Sequence, residues 1–157
     1  MILDKLLQLV DNSAADLIAH TSGTQVLEGD VINFGKNRYL GEGNPLFVGV
    51  RVITSLTSGT SGAAVRLVLQ QARNAAFTSN RSTCTVMIPD SGVDSITAGK
   101  YYEVAVGIDS NTSGGDQYFQ LAWQGTQAHL ASVTAGAISA WIGFQRGVWR
   151  SVEDYRG

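Results

Sequence analysis

Gly59-Thr60-Ser61-Gly62-Ala63 sets a serine between two glycines, one residue short of the elbow that lifts a nucleophilic serine onto a strained turn between strand and helix. The next element is the alternating run Val65 to Leu69, a strand, so the segment reads as a hairpin loop. Gly41-Glu42-Gly43 begins like a dinucleotide fingerprint. The third glycine is missing, and Pro45 leads into a strand, not into a helix N-terminus that could hold a pyrophosphate. Asp109, Asn111 and Ser113 with Gly114 match the first ligand positions of a calcium loop, but Gln120 stands where a bidentate glutamate is required. His20 and His129 lie far apart, with no His-x-His or His-Glu-x-x-His pairing, and read as surface residues. Glu103 could join Asp116 or Glu42 as the two carboxylates of a glycosidase only at a separation that sequence does not specify, so they read as solvated charges. The expectation is a protein that is not an enzyme, with no catalytic residue, no metal site and no cofactor.

The tryptophans remain. Trp123 alternates in step with Phe119 and Leu121, which makes it core, whereas Trp141 lies opposite the apolar series from Ile138 to Phe144. Trp141 and Trp149 are therefore candidates for an exposed or interface aromatic. The tail 144–157 packs Arg146, Trp149, Arg150, Glu153, Asp154, Tyr155 and Arg156 into a short space and reads as a docking segment. Trp141, Arg146, Trp149, Arg150 and Tyr155 are the expected interface residues.

The elements that must position these side chains are strands. Alternation recurs in runs separated by clusters of Gly, Ser, Thr, Asn and Asp. Leu46, Val48, Val50 and Val52 form one apolar row, and Val65, Leu67 and Leu69 another. Tyr102, Val104 and Val106 continue the pattern, as do Phe119, Leu121 and Trp123, then Ile138, Ala140, Ile142 and Phe144. Shorter strands are expected near Leu6 to Val10, Gln25 to Leu27, Val31 to Phe34 and Thr83 to Ile88. Only Asp11 to His20, with Ala14, Leu17 and Ile18 at helical spacing, competes as a helix. Eight or nine strands in 157 residues predict one all-β domain, a two-sheet sandwich of jelly-roll type. Residues 1–40 carry a candidate arm or variable segment.

Composition narrows the partners. A chain of this length buries roughly 70% of the surface its unfolded form exposes, so its core needs no staple. The net charge of −2 with scattered Lys and Arg gives no field for phosphates, and no nucleic-acid partner is expected. Only 15% of residues are charged, so polar neutral side chains or a partner must cover much of the surface. Cys84 is the sole cysteine, which precludes an internal disulfide and suits a reducing cytoplasm. The apolar runs are too short to span a membrane, and Met1 to Val10 lacks the pattern of a signal peptide, so no membrane partner is expected.

Several segments, in order, resemble the small jelly-roll capsid cement proteins of tailed bacteriophages. They are the opening Met1-Ile2-Leu3-Asp4-Lys5, the strand Gly43 to Val52, Val65 to Gln70 and then Asn74 to Ser79, Ile96 to Lys100 and Val133 to Ala140. Residues 10–38 and the tail after Phe144 depart from the pattern. The resemblance implies a structural decoration protein, made in the host cytoplasm and resident on the outer capsid surface of the virion. It implies a homotrimer that bridges capsomers of the major capsid protein. The alternative is a carbohydrate-binding or host-adhesion module on the same particle, motivated by Trp141 and Trp149.

Overall fold

A computed structural model describes residues 8–14, 23–36, 46–78, 81–106 and 116–143. They hold strands β1 (Gln8–Ala14), β2 (Gln25–Lys36), β3 (Phe47–Ser58), β4 (Ala64–Ala72), β5 (Ser82–Gly92), β6 (Tyr101–Ala105), β7 (Asp116–Gly125) and β8 (Val133–Gly143). A 3₁₀ turn at Val93–Ser95 and a short helix α1 (Gln127–Ala131) complete them. Fold the chain at the turn between β4 and β5, and its halves pair antiparallel as β4 with β5, β3 with β6, β2 with β7 and β1 with β8. Rolling that long hairpin brings β8 against β3 and β7 against β4. The result is a first sheet ordered β1-β8-β3-β6 and a second ordered β2-β7-β4-β5, the strand order of a jelly roll.

The roll closes because each strand has one apolar row and the two sheets turn those rows toward each other. In the first sheet Val48, Val50 and Val52 lie opposite Ile142, Ala140 and Ile138, all fully buried. In the second, Leu67 and Leu69 oppose Trp123 and Leu121, equally buried. Side chains standing to one side of a pleated strand leave a dry layer between stacked sheets. Phe34 meets Phe119 edge to face, centroids 5.4 Å apart, at the margin of this core.

The expected short strands at Gln25 to Leu27 and Val31 to Phe34 are one strand, β2, which brings the count to eight among the described residues. Glu28 pairs with Leu121 and Ile32 with Phe119, so β2 carries two more residues than β7 in this interval and bulges. Gly29 allows the bulge by adopting φ +69°, and here β2 presses onto β1 of the other sheet. Just before it, Glu28 faces inward beside Trp123 and is fully buried, its Oε2 accepting a hydrogen bond of 2.7 Å from the indole N–H. The sequence reading leaves Glu28 outside any strand, between the runs Gln25 to Leu27 and Val31 to Phe34, and so assigns it no place in the core.

Elsewhere the structure adds and corrects. Within the helical reading of Asp11 to His20, Asp11 to Ala14 belong to β1 instead, since pairing with β8 outweighs a weak apolar spacing. Of the candidate arm at 1–40, residues 8–14 and 23–36 are described and include β1 and β2. The helix α1 has no counterpart in the sequence reading; Thr126 caps it, its side chain accepting from the His129 N–H at 3.2 Å. The turn after β4 buries Phe77 at φ +52°, a conformation unusual for an aromatic residue. Asn74 holds it there, since its carbonyl accepts from the Phe77 N–H and its side chain bonds Thr78 twice.

A Cβ at Gly29 would lie 2.1 Å from the Leu9 carbonyl oxygen, whereas one at Gly62, φ +77°, would meet nothing within 4 Å. Gly62→Ala is therefore expected to cost about 1 kcal/mol from conformational strain alone. Gly29→Ala adds a collision and is expected to cost about 3 kcal/mol or more. Urea unfolding of the two variants measures the difference.

Candidate functional site: an aromatic face on the first sheet

Three rows of cross-strand neighbours build the outer face of the first sheet. Gly143, Phe47 and Ala105 form one row across β8, β3 and β6; Trp141, Gly49 and Glu103 form the next; Ser139, Arg51 and Tyr101 form the third. Gln8 of β1 extends the middle row beyond Trp141. Each of these residues alternates with an inward apolar one, Ile142 and Ala140 flanking Trp141, Val48 and Val50 flanking Gly49, so the sandwich core itself fixes which way they face. Cross-strand neighbours of this kind stand about 5 Å apart. Phe47, Trp141 and Tyr101 therefore share a patch with Arg51 and Glu103, and all five are half-buried.

The patch has internal order. Gly49 adds no side chain between Trp141 and Glu103, and the Tyr101 hydroxyl donates to Glu103 Oε2 at 2.8 Å. Tyrosine, tryptophan and arginine are the residue types that dominate binding energy at protein interfaces, because they combine a large apolar area with a polar group and lose little freedom on contact. The arrangement can grip a partially polar surface. On the inner side of β6, Tyr102 packs against the core, and burial raises its phenol above the ordinary value of 10.0.

Among the expected interface residues, Trp141 stands on this face, while Arg146, Trp149, Arg150 and Tyr155 lie outside the described residues. Sequence reading missed Phe47, Arg51, Tyr101 and Glu103 as neighbours of Trp141. Their alternation was visible, but the register joining three distant strands was not. Of the proposed carboxylates, Glu103 is in the first sheet and Asp116 opens β7 in the second, and Glu42 lies outside the described residues. Ser61 sits exposed in the turn from β3 to β4, in no strand-to-helix elbow. Asp109, Asn111, Ser113, Gly114 and His20 also lie outside the described residues.

His129, expected at the surface, is half-buried against the backbone of Ala64. Cys84 is half-buried, its thiol 3.6 Å from Gln71 Oε1. Among the described residues no three of His, Cys, Asp and Glu gather as metal ligands. None of the described helices is long and apolar enough to cross a membrane. No protein-family model matches the chain, and no curated protein matches it in sequence.

Because the Tyr102 phenol ionises less readily folded than unfolded, its contribution to stability is complete below pH 10.0 and is lost as pH rises through the folded value. Stability of the native chain is expected to fall more steeply with pH above 10.0 than that of Tyr102→Phe. Chemical unfolding of both across the alkaline range measures the difference in slope.

Proposed function

We propose that this chain is a structural cement that binds the outside of a tailed-phage head and stabilises contacts between capsomers of the major capsid protein. The aromatic face of the first sheet, with Trp141, Phe47 and Tyr101 around Arg51, is the observation that carries this reading. It is a surface suited to holding another protein, and it stands on a rigid sandwich. The ordered resemblance agrees with it. Its segments fall on the frame of the fold: Val48 to Val52 in β3, Val65 to Gln70 in β4, the Asn74 turn that buries Phe77, the approach to β6, and Val133 to Ala140 in β8.

A cement occupies many equivalent positions, so each copy needs only a modest contact, on the order of 800 Å² per partner. Joining copies as a homotrimer multiplies weak contacts into durable attachment without any new chemistry. Virion localisation, capsid partner and trimer belong to the same proposal. A sandwich whose core is shut on both sides resists deformation, which is what a clamp across neighbouring capsomers requires.

Mixing the purified chain with expanded empty heads built from the major capsid protein tests the proposal. Co-sedimentation with the heads and a trimer by light scattering are expected. Trp141→Ala is expected to weaken head binding by about tenfold or more, the effect of removing a central aromatic anchor, with its unfolding midpoint little changed. A chain that stays monomeric and remains in the supernatant would refute the reading.

A further inference from the structure

A second surface lies at one end of the other sheet, apart from the aromatic face and independent of the capsid reading. The start of β4, the end of β7, the bulge of β5, the residues opening β2 and the helix α1 border an open cleft of about 510 Å³. That is within the range of roughly 300–1,000 Å³ typical of small-ligand sites. Thr24, Arg66, Asp90, Gln124 and His129 set polar groups along it, and nearly half of its lining surface is apolar.

Arg66 is held in place. Its Nε donates to Gln124 Oε1 at 2.9 Å, and Gln124 Nε2 donates to Gln25 Oε1 at 3.1 Å. Gln25 and Gln70 then exchange two amide hydrogen bonds of 2.8 and 2.9 Å, anchoring the chain of amides in a residue that is only 4% exposed. Fixing the guanidinium through Nε leaves its two amino groups, with four N–H donors, for a ligand. Across the cleft, β5 sets two residues, Pro89 and Asp90, against the single residue Arg66, because Val65 pairs with Ser91 and Leu67 with Ile88. The bulge brings Asp90 to the cleft, yet among the described residues no ion pair joins it to Arg66. His129 uses Nδ1 on the backbone of Ala64, 3.3 Å from its nitrogen and 3.2 Å from its oxygen, so Nε2 is the ring nitrogen available to a ligand.

We propose that this cleft is a binding site for a neutral polyhydroxyl ligand, a hexose or a hexose unit of a glycan. Arg66 and Asp90 bring opposite charges to the cleft, so it has no net charge with which to select a cation or an anion, and its mixed polar and apolar lining suits a ring that presents both hydroxyls and C–H groups. A sugar hydroxyl both donates and accepts, so vicinal hydroxyls bridge the carboxylate and the guanidinium together, with Thr24 and His129 Nε2 as further partners. Among the described residues no aromatic ring lines the cleft to stack on the sugar, so single-site affinity is weak, in the millimolar range.

Amide NMR of the full chain, titrated separately with D-glucose, D-galactose, D-mannose and sodium phosphate, tests the site. At least one hexose is expected to give saturable shifts at Ala64, Arg66, Gly125 and His129. Asp90→Asn, a change at an exposed side chain, is expected to weaken that binding about tenfold while the remaining resonances stay in place, the effect of losing a hydrogen bond to a charged group. Arg66→Gln provides a second variant. Absence of saturation with every hexose, saturation by phosphate alone, or unchanged binding in Asp90→Asn would each overturn the proposal.

Discussion

Everything in this structure is placed by one dry layer between two sheets. Val48, Val50, Val52, Ile138, Ala140 and Ile142 on one side meet Val65, Leu67, Leu69, Phe119, Leu121 and Trp123 on the other, with exposures at or near zero. Burial of each large side chain contributes roughly 1.5–3 kcal/mol, which offsets the ordering of the backbone that presents it. The rolled topology is a consequence of this layer. A hairpin of four strand pairs left flat would expose one apolar side to water, whereas rolled it encloses both halves.

That layer contains one charged group among the described residues, and its position is informative. Glu28 lies on the inner side of β2 immediately before the Gly29 bulge, where β2 crosses onto the carbonyl of Leu9 in the other sheet. A buried carboxylate is costly unless donors reach it, and the indole N–H of Trp123 is one such donor. The largest residue of the core is thereby tied to the strand that joins the two sheets at their edge. A hydrogen bond between them has only one good geometry, which orients Trp123 more strictly than apolar contact alone would.

With the inner faces consumed by folding, the outer faces are free to differ. The first sheet turns out aromatic rings beside Arg51 and Glu103, and the second turns out glutamines and Arg66 linked by amide hydrogen bonds. The first composition favours contact with another protein, where desolvating rings is favourable. The second favours hydroxylated ligands, where paired amides hold a charged donor still. Strand alternation allows a single chain to carry both, because a residue and its neighbour face opposite ways.

The apolar rows from Leu46 to Val52, Val65 to Leu69, Phe119 to Trp123 and Ile138 to Ile142 were legible in the sequence, and with them the sandwich, the buried Trp123 and the outward Trp141. Alternation is a local property, written in adjacent residues, and so needs no knowledge of partners. Glu28 in the core, the merging of two short runs into β2, the grouping of Trp141 with Phe47, Arg51, Tyr101 and Glu103, and the meeting of Arg66 with Asp90 were decided by tertiary structure alone. Each depends on strand register or on a bulge, set by the best fit of whole apolar rows between strands tens of residues apart, and a shift of one position would turn every one of these side chains to the opposite face.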